Sequence, residues 1–202
     1  LEIPKFVEEQ KGGLLVAAFS PLRISQKWKR DVSDRINIPF YEVDAHNIVP
    51  CWIASDKQDY AAYTFRPKIH RLLPEFLEEY PNLKPKNRLW KENFNNDWQG
   101  AERRLKSLNT RKGIQEKEWI RSGKDAADNQ LTDFVENRLS RYDVDRNDPP
   151  KDVQSGLSPY LHFGQISAER ISLKIQASRK GSNAFLEELI VRRELSDNFC
   201  YY

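Results

Sequence analysis

The sequence predicts an α/β layer followed by an all-α one, and three observations carry that reading. The first is an apolar run, Leu14 to Phe19, set between Gly12-Gly13 and Ser20-Pro21. A short apolar run bounded by turn residues reads as a strand buried on both faces. The second is Phe40-Tyr41-Glu42-Val43-Asp44, another strand-like run, reached through the mostly polar stretch Arg23 to Arg35. In that stretch Trp28 and Val32 stand four residues apart, as on a surface helix. Strand, helix and strand with short connections make a βαβ unit and imply a parallel sheet with covering helices. The third is the change beyond Tyr80, where helical spacing replaces the strand pattern.

Each later element follows from its spacing. Leu72, Leu73, Phe76 and Leu77 put one apolar stripe on a helix over Ile69 to Leu77. Pro81 to Trp98 is rich in Pro, Asn and Lys without a sustained apolar period, so the interdomain connection falls there. The expected division is therefore an α/β part over residues 1–80, a linker over 81–98 and a helical part over 99–202. Ala127, Leu131, Phe134, Val135 and Leu139 step by three and four, which predicts an amphipathic helix from Lys124 to Tyr142. Phe185, Leu186, Leu189, Ile190, Leu195 and Phe199 predict another over Ala184 to Tyr202.

Composition narrows the function classes. Of 202 residues, 39% are hydrophobic and 31% charged, which suits a globular chain with a sizeable core. No apolar run approaches the ~20 residues that span a bilayer, and no secretory leader is visible at Leu1 to Gln10. The chain lacks methionine and starts with Leu, so an internal piece of a longer protein is expected. Cys51 and Cys200 are two isolated thiols, with neither a disulfide framework nor a zinc spacing, and point to a reducing compartment. A net charge of +3 does not announce a nucleic-acid binder; any such role must rest on a local patch.

The segment richest in chemistry is Ser155-Gly156-Leu157-Ser158-Pro159-Tyr160-Leu161-His162-Phe163-Gly164. Ser158 followed by Pro159 reads as a helix start, with a hydroxyl N-cap and Pro at the first helical position. Free N–H groups, hydroxyls and the positive end of a helix dipole can together hold a phosphate. A capped structural helix is the plainer reading of the same residues. His46, His70 and His162 lack metal-ligand spacing and read as structural. Asp148 before Pro149 reads as turn chemistry. Trp28, Trp52, Trp90, Trp98 and Trp119 read mostly as packing residues.

That segment resembles the flavin-phosphate stretch of the photolyase and cryptochrome family. Three further groups of residues are similar to the class II cyclobutane pyrimidine dimer photolyases. Tyr142-Asp143-Val144-Asp145-Arg146-Asn147-Asp148-Pro149 matches their lead-in to the phosphate stretch. Phe185 to Cys200, containing Glu187-Glu188-Leu189-Ile190-Val191-Arg192-Arg193-Glu194, matches their active-site helix. Phe19 to Arg23, Glu42 to Pro50 and Ala54 to Gln58 match their first half, and all the matches occur in order from about residue 14 to 202.

The resemblance implies a partial Rossmann-like α/β domain, of the kind that carries an antenna chromophore, and then the start of a helical FAD-binding domain. Ser155, Gly156, Leu157 and Ser158 would hold the flavin phosphates and Tyr142 would line the pocket. Phe185 stands where relatives often place a Trp against the cofactor. Glu188 would be the catalytic residue, meeting the lesion from a desolvated position. Its plainer role is an i,i+4 ion pair with Arg192, while Glu187 lies roughly 100° around the helix. Arg146 and Arg192 are the implied phosphate or substrate contacts.

The implied reaction is light-driven DNA repair. Excited, fully reduced FAD gives an electron to a flipped-out cyclobutane pyrimidine dimer, the ring splits and the electron returns, with no metal. The implied partner is dimer-containing DNA, with no membrane and a monomeric full-length protein. The implied location is the nucleus in a eukaryote or the cytoplasm otherwise. A cryptochrome-like photoreceptor and a non-enzymatic flavin or nucleotide-binding module are the alternatives. The remaining FAD contacts and the electron-relay aromatics are expected beyond Tyr202, so this piece alone is expected to bind FAD weakly and to be inactive.

Overall fold

After α1 (Glu2–Glu9), the chain forms β1 (Leu15–Ala18), α2 (Arg23–Ser33) and β2 (Phe40–Val43). The computed structural model describes residues 2–81, 84, 97–108, 120–178, 180 and 183–202. β1 and β2 pair in parallel, from Leu15 opposite Phe40 to Ala18 opposite Val43. The βαβ unit and its parallel pairing are therefore present. Burial on both faces is not: Leu14, Val16, Tyr41 and Val43 are all exposed. Among the described residues the sheet has two strands, so a face that a third element would cover stays open. Val32 is buried on α2, while Trp28 is exposed.

A loop leads from β2 to α3 (Cys51–Ala54) and α4 (Ala62–Phe76). α4 starts seven residues before the predicted stripe and runs through Pro67. An interior Pro removes a hydrogen bond and is unfavourable by about 3 kcal/mol. Phe65 and Ile69, on either side of it, are fully buried, and this packing outweighs the local preference.

Residues 1–79 and 122–202 form one compact unit, and 80–121 form a second. Most of the expected linker, with Trp90 and Trp119, lies outside the described residues. In the second unit, Asp97 caps α5 (Trp98–Ser107) by accepting from the Gly100 N–H at 2.7 Å. Trp98 is exposed there, against the packing role expected of it.

In the first unit the chain continues through α6 (Lys124–Asp133), a π-helical turn (Phe134–Arg138) and α7 (Leu139–Asp145). All five residues that predicted this helix are buried. α8 (Ser158–His162) and α9 (Ala168–Ser178) follow. Then come α10 (Asn183–Leu186), a second π turn (Glu187–Arg192) and α11 (Arg193–Tyr201). Phe185, Leu189 and Ile190 are buried as predicted, whereas Phe199 is exposed. The two π turns depart from the 3.6 period that the apolar spacing suggested; such turns are frequent at functional sites.

The stretches before and after α3 are irregular, so their backbone groups need partners from elsewhere. α11 supplies several of them. Glu194 Oε1 accepts from the Ile48 N–H at 2.7 Å, and Asn198 Oδ1 accepts from the Asp59 N–H at 2.7 Å. Asn198 also donates to the Lys57 carbonyl at 3.1 Å, and Tyr202 to the Ser55 carbonyl at 2.7 Å. Arg193 reaches the His46 carbonyl at 2.8 Å. These bonds stitch the α/β portion to the helix that continues from Glu188.

Candidate functional site

Three aromatic rings form the floor of the candidate site. Phe134 lies 4.7 Å from Phe185 and 5.9 Å from Tyr142, and Tyr142 meets Phe185 edge-on at 5.2 Å. They come from the first π turn, α7 and α10, and all three are buried. The Arg146 guanidinium lies 5.9 Å over the Tyr142 ring, within range of a cation–π contact.

Arg146 links the two halves of the site. Its Nη1 donates to Glu188 Oε1 at 2.9 Å, and its carbonyl accepts from Gln154 Nε2 at 2.9 Å. The bond to Glu188 also raises the guanidinium further above its ordinary pKa. Arg192 Nε stands 3.2 Å from the same Oε1 of Glu188, so the expected i,i+4 pair exists beside the longer-range one. Both arginines engage Oε1. Among the described residues, no hydrogen bond reaches Oε2. One carboxylate between two guanidiniums leaves one net positive charge among these three groups. The Glu188 side chain is 38% exposed, so the desolvation expected of it is absent.

Its neighbour Glu187 faces elsewhere. Arg66 on α4 holds it by two bonds, Nε to Oε2 at 2.9 Å and Nη2 to Oε1 at 2.7 Å. That fork lowers the Glu187 pKa, with its hydrogen bonds the leading cause. Two adjacent acids thus occupy separate settings, one locked to α4 and one presented beside Arg146.

The Ser155 to Ser158 segment differs from expectation at its cap. Leu157 occupies the N-cap, Ser158 is the first helical residue, and no side chain caps the helix. Pro159 takes the second position, which still lacks an intrahelical acceptor for an N–H. At five residues α8 is too short for much of a macrodipole, so the segment's character lies in its loop. Gly156 has φ +66°, a left-handed conformation that favours glycine. The Ser155 hydroxyl accepts from the Leu157 N–H at 3.3 Å, and Leu157 is buried.

The histidines are ordinary parts of the scaffold. His46 Nε2 stands 3.2 Å from Asp197 Oδ2 and 3.1 Å from Arg193 Nη1, and His162 meets the Phe163 ring edge-on at 4.7 Å. Trp52 is also exposed, though it meets Phe19 edge-on at 5.5 Å. Cys51 is buried and Cys200 exposed, both free; burial pushes the Cys51 thiol up to about 12, with Asp44 adding to it. Among the described residues there is no His, Cys, Asp or Glu cluster able to hold a metal, and no helix long and apolar enough to cross a membrane.

The sequence pattern missed Arg66, Gln130, Arg138 and Glu194. Each finds a partner at long range in the chain, which local spacing does not reveal.

The family model described as DNA photolyase matches residues 2–86. The chain is 42% identical over 209 residues to a deoxyribodipyrimidine photo-lyase of Potorous tridactylus, covering 99% of this chain and 38% of that protein. It is 44% identical over 216 residues to one of Arabidopsis thaliana, covering 99% of this chain and 43% of the relative. A third, from Methanothermobacter thermautotrophicus, is 37% identical over 182 residues, covering 90% and 40%. The chain thus spans about two fifths of the length of the curated relatives it matches. Among solved structures, a bacterial class III photolyase from Agrobacterium tumefaciens superposes with a TM-score of 0.61 at 17% identity. That match covers 99% of this chain and 43% of the other, a likeness of fold. By the family match over residues 2–86 and by these identities along nearly its whole length, the chain is similar to the DNA photolyases.

Proposed function

We propose that this chain is part of a class II deoxyribodipyrimidine photo-lyase, a lyase that repairs DNA by splitting cyclobutane pyrimidine dimers in light. The observation that carries the reading is the bridge made by Arg146. Its main chain holds the residue before Ser155 and its side chain holds Glu188, so a cofactor segment and a substrate carboxylate share one support. The class II assignment rests on Phe19 to Arg23, Glu42 to Pro50 and Ala54 to Gln58, together with Tyr142 to Pro149 and Phe185 to Cys200. In the longer protein, residues 1–80 would belong to an α/β domain of the antenna-bearing type and 99–202 to a helical FAD-binding domain. The full-length protein would act as a monomer on dimer-containing DNA, in the nucleus or cytoplasm according to its host.

The residues fit FAD at two places. Ser155 and Ser158 bring hydroxyls to the loop, and the left-handed turn at Gly156 would expose backbone N–H groups there, suiting Ser155 to Ser158 to a diphosphate. Tyr142 and Phe185 supply aromatic surface to the same pocket. Bound FAD would supply the electron that opens the cyclobutane ring. The chain's own part is positioning. Arg146 and Arg192 draw the DNA backbone toward the site. The unengaged oxygen of Glu188 accepts a hydrogen bond from the pyrimidine edge, and Arg146 keeps that carboxylate aimed.

The test is the full-length protein, reduced and mixed with an oligonucleotide holding one thymine dimer. Blue light should restore thymine absorbance, and darkness should not. Illumination that changes the flavin spectrum while the dimer persists would instead support a photoreceptor. Flavin binding with neither effect would support a simple binding module.

A further inference from the structure

The two carbonyls ahead of Gly156 are both held from behind. Arg138 Nη1 donates to the Gln154 carbonyl at 2.8 Å, and Gln130 Nε2 donates to the Ser155 carbonyl at 2.7 Å. Both donors come from the continuous run of α6 and the first π turn. The described peptide units are all trans, and a trans unit points its C=O and N–H to opposite sides. Carbonyls drawn toward α6 therefore turn the N–H groups of Ser155 and Gly156 away from it. Among the described residues, neither N–H finds a protein acceptor. Two adjacent outward donors form the kind of backbone concavity that binds anions.

The support is built closely. A Cβ on Gly156 would fall 2.7 Å from Gln130 Nε2, so the Gln130 amide occupies the room that only glycine leaves. Arg138 is itself fixed, paired with Asp133 and lying 5.9 Å over the Phe134 ring. At the far end of the segment, Gln165 Oε1 accepts from the Gly123 N–H at 2.9 Å, just before α6 begins. One helix thus braces the segment on both sides of α8. The brace at Ser155 is a neutral amide, which pins a carbonyl without competing as a cation for the phosphate.

We infer that Gln130, backed by Arg138, is a positioning residue that aims the Ser155 and Gly156 N–H groups at the cofactor's diphosphate. The inference rests on the reading that this segment holds FAD. It is tested on the full-length protein by Gln130→Leu, Gln130→Asn and Gly156→Val. The readouts are FAD affinity, the phosphorus resonances of bound FAD, and thermal unfolding of the FAD-free protein. Gln130→Leu should weaken FAD about tenfold, the equivalent of one lost hydrogen bond, and move both phosphorus resonances. Gln130→Asn keeps the donor but shortens its reach, and should fall between wild type and Gln130→Leu; it reads the same quantities if Gln130→Leu does not fold.

Unmoved phosphorus resonances in the Gln130 variants, with Gly156→Val still shifting them, would overturn the role of Gln130 and leave the FAD reading standing. If Gly156→Val also leaves them unmoved, the segment does not seat the diphosphate and both ideas fall. A loss confined to thermal stability reduces Gln130 to a structural brace and likewise overturns the inference.

Discussion

Glu194 is 2% exposed, and its replacement by glutamine gives the most quantitative prediction. Oε1 accepts from Ile48, while Oε2 is buried without a hydrogen-bond partner among the described residues. Burial, opposed in part by the Ile48 N–H and by Arg193, raises its pKa from 4.5 to about 7. The folded protein therefore holds this proton more tightly than the unfolded chain does. The associated stability is full below the unfolded pKa of 4.5 and is lost as pH rises through about 7. At 1.36 kcal/mol per unit, the whole shift corresponds to roughly 3 kcal/mol. Glu194→Gln keeps the Ile48 acceptor and removes the ionisation. The assay is urea unfolding of the full-length wild type and variant from pH 4 to pH 8, followed by circular dichroism. The two should be nearly equal at the acid end. The variant should gain on wild type by about 1.4 kcal/mol per pH unit, levelling above about pH 7. A stability difference that is flat with pH, or that favours wild type more strongly as pH rises, would refute the reasoning.

Phe134→Ala empties the centre of the aromatic floor, where the ring is fully buried against Phe185 and Tyr142. The expected loss is about 3–5 kcal/mol in denaturant unfolding. Gly156→Ala should be unfavourable by about 1–2 kcal/mol from its left-handed φ alone. Its contact with Gln130 adds to this, so adding Gln130→Ala should recover part of the loss in the same measurement. Arg66 and Glu187 should show a favourable coupling in a double-mutant cycle read by thermal unfolding, and additive single-variant losses would contradict the pairing. Glu188→Gln should lower light-driven repair by about ten- to a hundredfold, the worth of one charged hydrogen bond. Glu187→Gln should leave repair within about twofold in the same assay, because that carboxylate is turned toward α4.

Periodicity carried the parts of the fold held by local rules. The strands, the helix after β1 and the buried stripe through Phe134 and Leu139 all follow from residues near one another in the chain. Burial of β1 on both faces did not follow, because it depends on what covers the sheet, which lies outside the strand. The π turns escaped because an apolar stripe tolerates one inserted residue without changing composition. α4 escaped at its start because Pro67 argues locally for a break, while Phe65 and Ile69 settle the matter through packing.

The Ser155 to Gly164 motif stood out because its residues are neighbours in the chain, while its link to a cofactor came from the resemblance and not from the spacing. Helix geometry already set Glu187 and Glu188 apart, but their partners Arg66 and Arg146, 121 and 42 residues away in the chain, were not legible. The plain ion pair of Glu188 with Arg192 and the longer link to Arg146 both exist. A sequence can suggest the first by spacing; only the fold supplies the second.

The most direct measurement is a crystal structure of the full-length protein with FAD and a dimer-containing duplex. The account predicts a diphosphate oxygen within hydrogen-bond distance of the Gly156 N–H, and the Glu188 carboxylate against the extruded dimer with Arg146 still beside it. A diphosphate seated away from residues 155–158, or a lesion met by other groups while Glu188 stays in solvent, would contradict it.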